Sequence, residues 1–328
     1  MIKLGVIYGG VSTEHDVSMM SAKSVINNLD KEKYEIREIY INEYGKWFEN
    51  DEEIYNIIWV LKELDVVFPV LHGLGGEDGT IQGMLEMLKV PYVGCGVLAS
   101  SVGMDKVYTK IVFEKAGIPQ TPYIYVKKHE NGYLIIDENF NEKEFKLDEI
   151  TSNLKFPMFV KPSNSGSSVG VKKATNNAEL KMAIENAAQY DTKILIEQGI
   201  NGREVECAIL DGKEVLASTV GEIMSAEDFY SFDAKYNMPE SKTVIPADIT
   251  EEQIEEIRKL AVKAFKAIDG KGLSRVDFVV EKETNKIYIN EINTLPGFTK
   301  ISMYPKLFEA VGISYSELLD KLIQNAIK

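Results

Sequence analysis

Hydrophobic and polar residues follow two periods along the chain, one typical of strands and the other of helices. Residues 1–30 contain the apolar stretch IKLGVIY, the glycine turn GGVSTEHD and a helix that Thr13 could cap, with Asp16 at its third position. The stretch DVVFPVL at 65–71 is continuously apolar, as expected for a parallel strand buried on both faces. Strand-like and helix-like stretches alternate up to VPYVG, which predicts a parallel α/β domain over about the first hundred residues.

The pattern changes after this domain, where hairpins and longer helices are predicted. Residues 104–116 form a helical pattern that ends at Gly117, and the apolar strand FPMFVKP leads into the small-residue loop SNSGSSVG. The stretch VECAIL–DG–KEVLAST predicts a hairpin with an Asp-Gly turn, and TEEQIEEIRKLAVKAFKAIDG predicts a helix with a Thr250/Gln253 capping box. Between them, residues 222–245 are polar without clear periodicity, which indicates a long loop of the kind that often forms a lid.

The last hairpin, SRVDFVV–EKETN–KIYINEIN, carries the strongest chemical signal. A turn centred near Thr284 places Asp277 opposite Glu291, and Asn293 shares a strand face with Glu291. Like charges opposite one another destabilise a sheet unless a cation lies between them, and hard oxygen ligands suit Mg²⁺. The alternative is a solvated acidic face, which the apolar neighbours and the adjacent Arg275 disfavour. The hairpin therefore predicts a metal site.

The loop KPSNSGSSVG at 161–170 follows an apolar strand directly and is rich in small residues. Its glycines allow a ligand to approach closely, successive N–H groups can bind an anion, and Lys161 adds positive charge. A flexible surface loop is the alternative. The loop also contains the hydrolase pattern G-x-S-x-G around Ser168, but the strand–turn–helix context of a nucleophile is not predicted there. Anion binding is the favoured interpretation.

Further polar residues stand at the turns of the predicted α/β elements. Glu14 follows the first strand at a helix N-terminus, where α/β sheets place ligand sites, although favourable placement in the helix dipole would also explain it. His72 stands beside the tight turn of HGLGGEDGT and could equally be a structural histidine. Lys106, Lys161 and Lys235 could each be solvated surface lysines. Together with the glycine loop and the metal site, these lysines would neutralise a nucleotide triphosphate.

Composition narrows the partners and the compartment. The 328 residues include 37 Lys and Arg against 51 Asp and Glu, a net charge of −14, which excludes a nucleic-acid partner and an anionic membrane surface. The sequence has two cysteines, Cys95 and Cys207, no apolar run of membrane-spanning length and no signal-peptide pattern at its N-terminus. We therefore expect a cytoplasmic protein of two or three domains.

Several of these motifs occur together and in a fixed order. They are GGVSTEHDVS, LHGLGGEDGT, the MDK of 104–106, KPSNSGSSVG, the AKY of 234–236, SRVDF and NEINTLPGFTKISMYP, and they span residues 9–305. In these motifs the chain resembles the D-alanine–D-alanine ligase family of the ATP-grasp superfamily. The combination of HG-x-GGEDG and NEINT-x-PG is quite specific, whereas a glycine loop alone would not be.

The resemblance implies an α/β fold with an α+β ATP-binding part, in three domains. These are an N-terminal parallel α/β domain (1–97), a central ATP-grasp domain (98–196) and a C-terminal ATP-grasp domain (197–328) with the metal hairpin and the lid, and ATP would lie between the last two. The implied activity is ATP-dependent ligation of two D-alanine molecules through D-alanyl phosphate, for peptidoglycan precursors. The resemblance also implies two Mg²⁺, with Mn²⁺ as an alternative metal and K⁺ as an activator, and a homodimer.

The resemblance assigns roles to individual residues. Catalysis would involve Glu14, Ser167, Tyr236, Arg275 and Gly297. D-alanine would be bound by Glu14, His72, Arg275, Gly297, Ser302 and Met303. ATP would be bound by Lys106, Lys161, Ser167, Ser168, Glu197, Gln198, Ile200, Glu204 and Lys235, with the adenine against residues 197–200. The Mg²⁺ ions would be held by Asp277, Glu291 and Asn293.

Alternatives stay open both within the family and outside it. D-serine or D-lactate could replace the second D-alanine, although Tyr236 resembles the form that makes a peptide bond, whereas ester-forming relatives carry Phe there. A non-catalytic nucleotide-binding module is a more distant alternative, which the complete set of metal residues and Arg275 disfavours. Two features depart from the family pattern: Gln198 and Gly199 stand where some members have Lys and a large aromatic residue, and the lid motif SFDAKY is short.

Overall fold

The computed structural model describes residues 1–224 and 242–328, and these residues form three sheets. The strands of the N-terminal sheet are β1 (Ile2–Gly9), β2 (Tyr34–Ile41), β3 (Trp47–Glu49), β4 (Glu52–Glu53) and β5 (Val66–Pro69), in the order β4-β3-β2-β1-β5. Strand β1 runs parallel to both β2 and β5, which confirms the parallel α/β pattern predicted there. The antiparallel strands β3 and β4 extend one edge of the sheet.

Five helices accompany this sheet and lead away from it: α1 (His15–Asn28), α2 (Ile57–Lys62), α3 (Thr80–Leu88), α4 (Val97–Met104) and α5 (Lys106–Lys115). The predicted helix at 104–116 corresponds to α5, which Asp105 caps by accepting a hydrogen bond from the N–H of Tyr108. The predicted Thr13 cap of α1 is wrong, because the N-cap residue is Glu14, which makes no side-chain cap. The Glu14 carboxylate accepts a hydrogen bond from Ser167 instead.

The central sheet is antiparallel throughout. Its strands lie in the order β10-β9-β11-β6-β7-β8. Their bounds, with those of the two helices between them, are β6 (Tyr123–His129), β7 (Gly132–Ile136), β8 (Glu142–Glu144), α6 (Leu147–Asn153), β9 (Met158–Pro162), β10 (Lys172–Ala174), α7 (Asn177–Ala187) and β11 (Lys193–Gln198). Leu180 and Ile184 of α7 pack with Val160 and Ile196 in one core, so the loop between β9 and β10 projects from a rigid layer.

The C-terminal sheet is also antiparallel, in the order β14-β13-β12-β15-β16. Its strands and helices are β12 (Gly202–Leu210), β13 (Leu216–Met224), β14 (Lys242–Val244), α8 (Glu251–Ala267), β15 (Leu273–Glu281), β16 (Ile287–Asn293), α9 (Met303–Glu309) and α10 (Tyr315–Ile327). The capping box of Thr250 and Gln253 is confirmed at the start of α8. No helix within the described ranges is long and apolar enough to span a bilayer.

The Asp-Gly turn predicted between β12 and β13 is longer than expected. Leu210 pairs with Leu216, so five residues connect the strands, not the two of a tight Asp-Gly turn. The backbone of Asp211 makes its hydrogen bonds outside the turn. Its N–H donates to the carbonyl of Gly272, and its carbonyl accepts from the side-chain amide of Asn325. The predicted hairpin itself is confirmed.

One hydrophobic core joins the beginning and the end of the chain. It contains Val6 and Phe68 of the N-terminal sheet together with Tyr304 and Leu322 of α9 and α10. Phe298 lies at its centre, with its ring 5.5 Å from Phe68 and 5.4 Å from Tyr304. Because cores are closely packed, this core fixes the segment after β16 against the N-terminal sheet.

Candidate active site

A cleft of about 400 Å³ lies where the N-terminal sheet, the loop after β9 and the C-terminal hairpin meet. Many of the residues singled out from the sequence line it, although they come from distant parts of the chain. They are Glu14, His72, Lys106, Lys161, Ser167, Ser168, Glu204, Arg275, Asp277, Glu291, Asn293, Gly297, Ser302 and Met303. The fold therefore brings the predicted phosphate loop, metal hairpin and substrate residues to one place.

The hairpin of β15 and β16 has the register predicted from its turn. Asp277 pairs with Glu291, and Arg275 pairs with Asn293. The register then shifts, so that Phe278 pairs with Ile289 and Asn290 is the extra residue of a bulge.

Arg275 is the electrostatic centre of this hairpin. Its Nε and Nη2 donate to the two carboxylate oxygens of Asp277 at 2.8 and 2.7 Å, and its Nε lies 3.0 Å from Glu206. Burial opposes the charged form of Arg275, but the charges of Asp277 and Glu206 outweigh it and hold its pKa well above the usual value. The Arg275 guanidinium is therefore charged, and its two hydrogen bonds to Asp277 fix the orientation of its plane.

The three predicted metal residues suit a Mg²⁺ ion that is coordinated partly by the protein and partly by substrate phosphates. Asp277 and Glu291 supply carboxylate oxygens and Asn293 supplies an amide oxygen, which already accepts a hydrogen bond from the N–H of Leu295 at 3.1 Å. Within the described ranges, no group of three or more His, Cys, Asp or Glu side chains could hold a metal ion. Mg²⁺ commonly takes one or two carboxylates and completes its octahedron with substrate phosphates and water. This donor set matches that pattern and not a closed protein cage.

The loop between β9 and β10 is held in a constrained conformation. The Lys106 Nζ donates to the carbonyl of Ser165 at 2.6 Å, and its backbone N–H donates to the carbonyl of Ser163. Ser167 and Ser168 have φ values of 47° and 60°, in the left-handed region that side chains other than glycine rarely adopt. The loop runs into β10 and not into a helix, which contradicts a nucleophile elbow at Ser168.

Glu14 joins the N-terminal sheet to this loop. The Ser167 hydroxyl donates to the Glu14 carboxylate. A Cβ atom at Gly166 would lie 2.7 Å from Glu14 Oε2, and one at Gly73 would lie 2.8 Å from the same oxygen. A side chain at either position would therefore require the Glu14 carboxylate to shift.

His72 is buried within a chain of hydrogen bonds that the sequence did not indicate. Its Nδ1 lies 3.5 Å from Glu77, and its Nε2 lies 3.1 Å from the hydroxyl of Ser21. That hydroxyl also accepts from the N–H of Phe298 at 3.3 Å. Glu77 belongs to the motif HGLGGEDGT and could have been predicted from it, whereas no local pattern indicates Ser21. The chain connects the histidine to the residue after Gly297.

Gly297 and Ser302 face one another beyond β16. The Ser302 hydroxyl accepts from the N–H of Thr299 at 2.9 Å, and a Cβ at Gly297 would lie 2.9 Å from that hydroxyl oxygen. A side chain at Gly297 would thus displace Ser302.

Among the described residues, three of the predicted ATP-binding residues do not line the cleft: Glu197, Gln198 and Ile200. Glu197 is buried between Lys110 and Lys161, and Ile200 lies just beyond the end of β11. The Gln198 N–H donates to the carbonyl of Pro122, and its side chain accepts from the N–H of Lys155. The adenine contacts assigned to this stretch stay a prediction. Lys235 and Tyr236 lie outside the described residues, as does most of the predicted lid. The bounds 222–245 of that predicted loop are wrong, because residues 222–224 belong to β13 and residues 242–244 form β14.

The sequence comparisons give one consistent result. Residues 3–60 and 56–95 match the family model "D-ala D-ala ligase N-terminus", and residues 112–324 match "D-ala D-ala ligase C-terminus". A D-alanine–D-alanine ligase of Acetivibrio thermocellus is 50% identical over 98% of this chain and 95% of that protein. One of Clostridium novyi is 46% identical over 99% of this chain and 98% of that protein.

Solved structures have the same architecture over the full chain. The VanG D-Ala:D-Ser ligase of Enterococcus faecalis superimposes with a TM-score of 0.86 at 35% identity, covering 99% of both chains. The D-alanine–D-alanine ligase of Bacillus anthracis complexed with ATP superimposes with a TM-score of 0.81 at 34% identity, covering 100% of this chain and 98% of that one.

Proposed function

The chain belongs to the D-alanine–D-alanine ligase family, and from that premise we propose that it joins two D-alanine molecules into D-alanyl-D-alanine with cleavage of ATP. The product would serve peptidoglycan precursor synthesis. One observation carries the proposal: the phosphate-loop residues, the metal hairpin and the substrate residues line a single cleft. A reaction that activates a carboxylate with ATP needs all three in one place.

The phosphates of ATP would lie between Lys106 and Lys161, with the 166–169 loop over them. Ser167 and Ser168 belong to that loop, and Glu204 lines the cleft near the position proposed for the ribose. Asp277, Glu291 and Asn293 would hold Mg²⁺, which when bound neutralises phosphate charge during transfer. Mn²⁺ would substitute for Mg²⁺, and K⁺ would act only as an activator.

Arg275 and the backbone N–H of Gly297 would stabilise the oxyanion that forms when the second D-alanine attacks D-alanyl phosphate. Arg275 suits this role because Asp277 fixes its plane and its raised pKa keeps it charged at every working pH. Such preorganised donors are worth most where water is excluded. Ser302 and Met303 would lie at the carboxylate of the second substrate.

Glu14 would take the ammonium group of the first D-alanine, close to His72. The hydrogen bond from Ser167 to Glu14 supports this, since it connects the carboxylate that would bind the ammonium group with the phosphate loop. We assign Tyr236 to the same hydrogen-bonded set and Lys235 to the transferring phosphate; both belong to the proposed lid.

The experiment is incubation with ATP, Mg²⁺ and D-alanine, followed by assay of phosphate release and mass analysis of the product. We expect D-alanine-dependent phosphate release with one dipeptide per phosphate. Phosphate release that is independent of D-alanine, or no dipeptide, would exclude the proposed ligase.

D-serine is the second candidate for the attacking substrate, because one of the solved structures with this architecture is a D-Ala:D-Ser ligase. Competition between D-alanine, D-serine and D-lactate at equal concentration tests it. We expect D-alanyl-D-alanine as the main product, and a Tyr236→Phe variant to shift product toward the ester with D-lactate.

The domain division is proposed at residues 1–97, 98–196 and 197–328. The strands of the three sheets fall at 2–69, 123–198 and 202–293, which supports it. Cys95, Ala99 and Phe113, however, pack into the core of the C-terminal sheet, so the first helices after residue 97 bridge two domains. We also propose a cytoplasmic homodimer, which light scattering at micromolar concentration would test.

A further inference from the structure

Three charged side chains form a buried cluster behind the phosphate side of the cleft. Lys110 of α5, Glu197 of β11 and Lys161 of β9 constitute this cluster, called here the buried triad. The Lys110 Nζ lies 2.7 Å from one Glu197 carboxylate oxygen, and the Lys161 Nζ lies 2.6 Å from the other. The side chains of Lys110 and Glu197 are only 4% and 5% exposed.

The fold places these side chains together through strand register and helix spacing. Lys161 pairs with Leu195 and Glu197 pairs with Phe159, so Lys161 and Glu197 are diagonal neighbours on one face of the sheet. On the other side, Glu197 pairs with Tyr123, over whose ring Lys110 lies at 5.3 Å.

Further hydrogen bonds fix the carboxylate between the two lysines. The Thr121 hydroxyl donates to the Glu197 oxygen that Lys110 contacts, at 2.8 Å, and the backbone carbonyl of Lys110 accepts from Gln120. The position of the Lys110 ammonium therefore depends on several contacts, not on a flexible side chain alone.

The buried triad contributes a net charge at the edge of the cleft. Two cations face one anion, so the set carries one net positive charge. Burial opposes ionisation of Glu197, but Lys110 and Lys161 outweigh it and hold its pKa well below the usual value. Burial lowers the pKa of Lys110, and Glu197 opposes that effect. Burial also opposes the charged form of Lys161, but Glu197 together with the charges of Glu291 and Glu204 outweighs it, and the pKa of Lys161 is raised.

We propose that Lys110 is a positioning residue for Lys161: it neutralises Glu197, so that the Lys161 ammonium keeps a surplus positive charge and is held at the edge of the cleft for the phosphates of ATP. The inference rests on the proposed function only in taking ATP as the nucleotide. Lys110 itself is absent from the cleft lining, whereas Lys161 lines it. Without Lys110, Glu197 would pair with Lys161 alone, and the net charge of the remaining pair would be zero.

The test compares four proteins: wild type, Lys110→Met, Lys110→Arg and the double variant Lys110→Met/Glu197→Gln. The double variant restores the net charge to one positive unit, because it removes the carboxylate together with the lysine. Affinity for the Mg²⁺ complex of a non-hydrolysable ATP analogue is measured by calorimetry without D-alanine, well below each melting temperature. Arg37→Met is the matched control, since it breaks an ion pair with Glu49 in the N-terminal sheet.

We expect Lys110→Met to weaken nucleotide binding roughly tenfold or more, as for loss of one buried charge partner, with little change in the KM of D-alanine. Lys110→Arg should stay within about threefold of wild type. The double variant should bind more tightly than Lys110→Met but more weakly than wild type, because Glu197 is itself among the residues assigned to ATP. Arg37→Met should lower the melting temperature without changing nucleotide affinity.

A merely structural role for Lys110 would give a different pattern. The double variant would then bind no better than Lys110→Met, and this result, or wild-type affinity in a folded Lys110→Met, would overturn the inference. The proposed function fails separately: a wild-type protein that binds the analogue but forms no dipeptide contradicts the ligase and leaves the role of Lys110 standing.

Discussion

Gly166→Ala is the substitution whose effect follows most directly from the structure. A Cβ at this position would lie 2.7 Å from Glu14 Oε2, closer than real Cβ contacts, so the Glu14 carboxylate must move. Gly166 is not among the residues with positive φ, so alanine fits its backbone and the effect is confined to the contact. Ser167 donates to Oε1 of the same carboxylate, so a shift of Oε2 also displaces this acceptor, and we expect the hydrogen bond from Ser167 to be weakened or lost.

The magnitude follows from that hydrogen bond. A hydrogen bond to a charged group contributes about 1.5–3 kcal/mol, which corresponds to a loss of roughly ten- to a hundredfold in kcat/KM for D-alanine. The assay is phosphate release against D-alanine concentration at saturating ATP, with thermal unfolding in parallel. Gly212→Ala is the control, because its nearest contact would be an ordinary 3.6 Å. Unchanged kcat/KM in Gly166→Ala, or an equal loss in Gly212→Ala, would refute the reasoning.

Three further outcomes are expected. Asp277→Asn should lower kcat by roughly a hundredfold with the fold retained by circular dichroism, because Arg275 loses its bidentate partner and the proposed Mg²⁺ site loses a carboxylate. Near-normal turnover would count against both roles of Asp277. Phe298→Ala should lower the free energy of unfolding by about 3–5 kcal/mol in urea titrations, since the ring is fully buried; a loss below about 1 kcal/mol would contradict the shared core. The stability difference between wild type and Glu197→Gln should be largest at neutral pH and shrink as the pH falls below 4.5, because the folded pKa of Glu197 is depressed; a difference independent of pH from 7 to about 3 would contradict the buried ion pairs.

The sequence was most informative where function and local pattern coincide in one hairpin. The alternation of β15 and β16 and the position of their turn predict that Asp277 pairs with Glu291, and the strands pair in that way. The continuous apolar run of β5 similarly predicts a buried parallel strand, and β5 pairs parallel to β1. In both cases the period of the side chains and the neighbouring strand carry enough information.

Residues that act through distant neighbours were missed. Glu206 lies opposite Asp277 because β12 pairs with β15, and nothing in either strand indicates which partner it will take. Ser21 reaches His72 and Phe298 only because one core joins the two ends of the chain. Such contacts depend on tertiary arrangement, which periodicity does not encode.

Lys110 is an intermediate case, since a local signal existed and was overlooked. It lies three residues after Val107 and three before Phe113, on the stripe of α5 that becomes buried. A lysine within an apolar helical stripe must pair with an anion or lose its charge. That rule would have predicted a buried carboxylate partner, although not that the partner is Glu197.

The acidity of the chain and its use of a polyanionic nucleotide are compatible because the relevant cations are local. At physiological ionic strength charges are screened beyond about 8 Å, so most surface carboxylates contribute little to the potential inside the cleft. There, Asp277 and Glu206 face Arg275, and Glu197 faces two lysines. The Arg275 cluster therefore has one net negative charge, which bound Mg²⁺ would offset, whereas the buried triad has one net positive charge and presents the Lys161 ammonium to the nucleotide. The net charge of −14 therefore describes the protein's surface and its macromolecular partners, whereas pairing within the cleft decides which small anion it can hold.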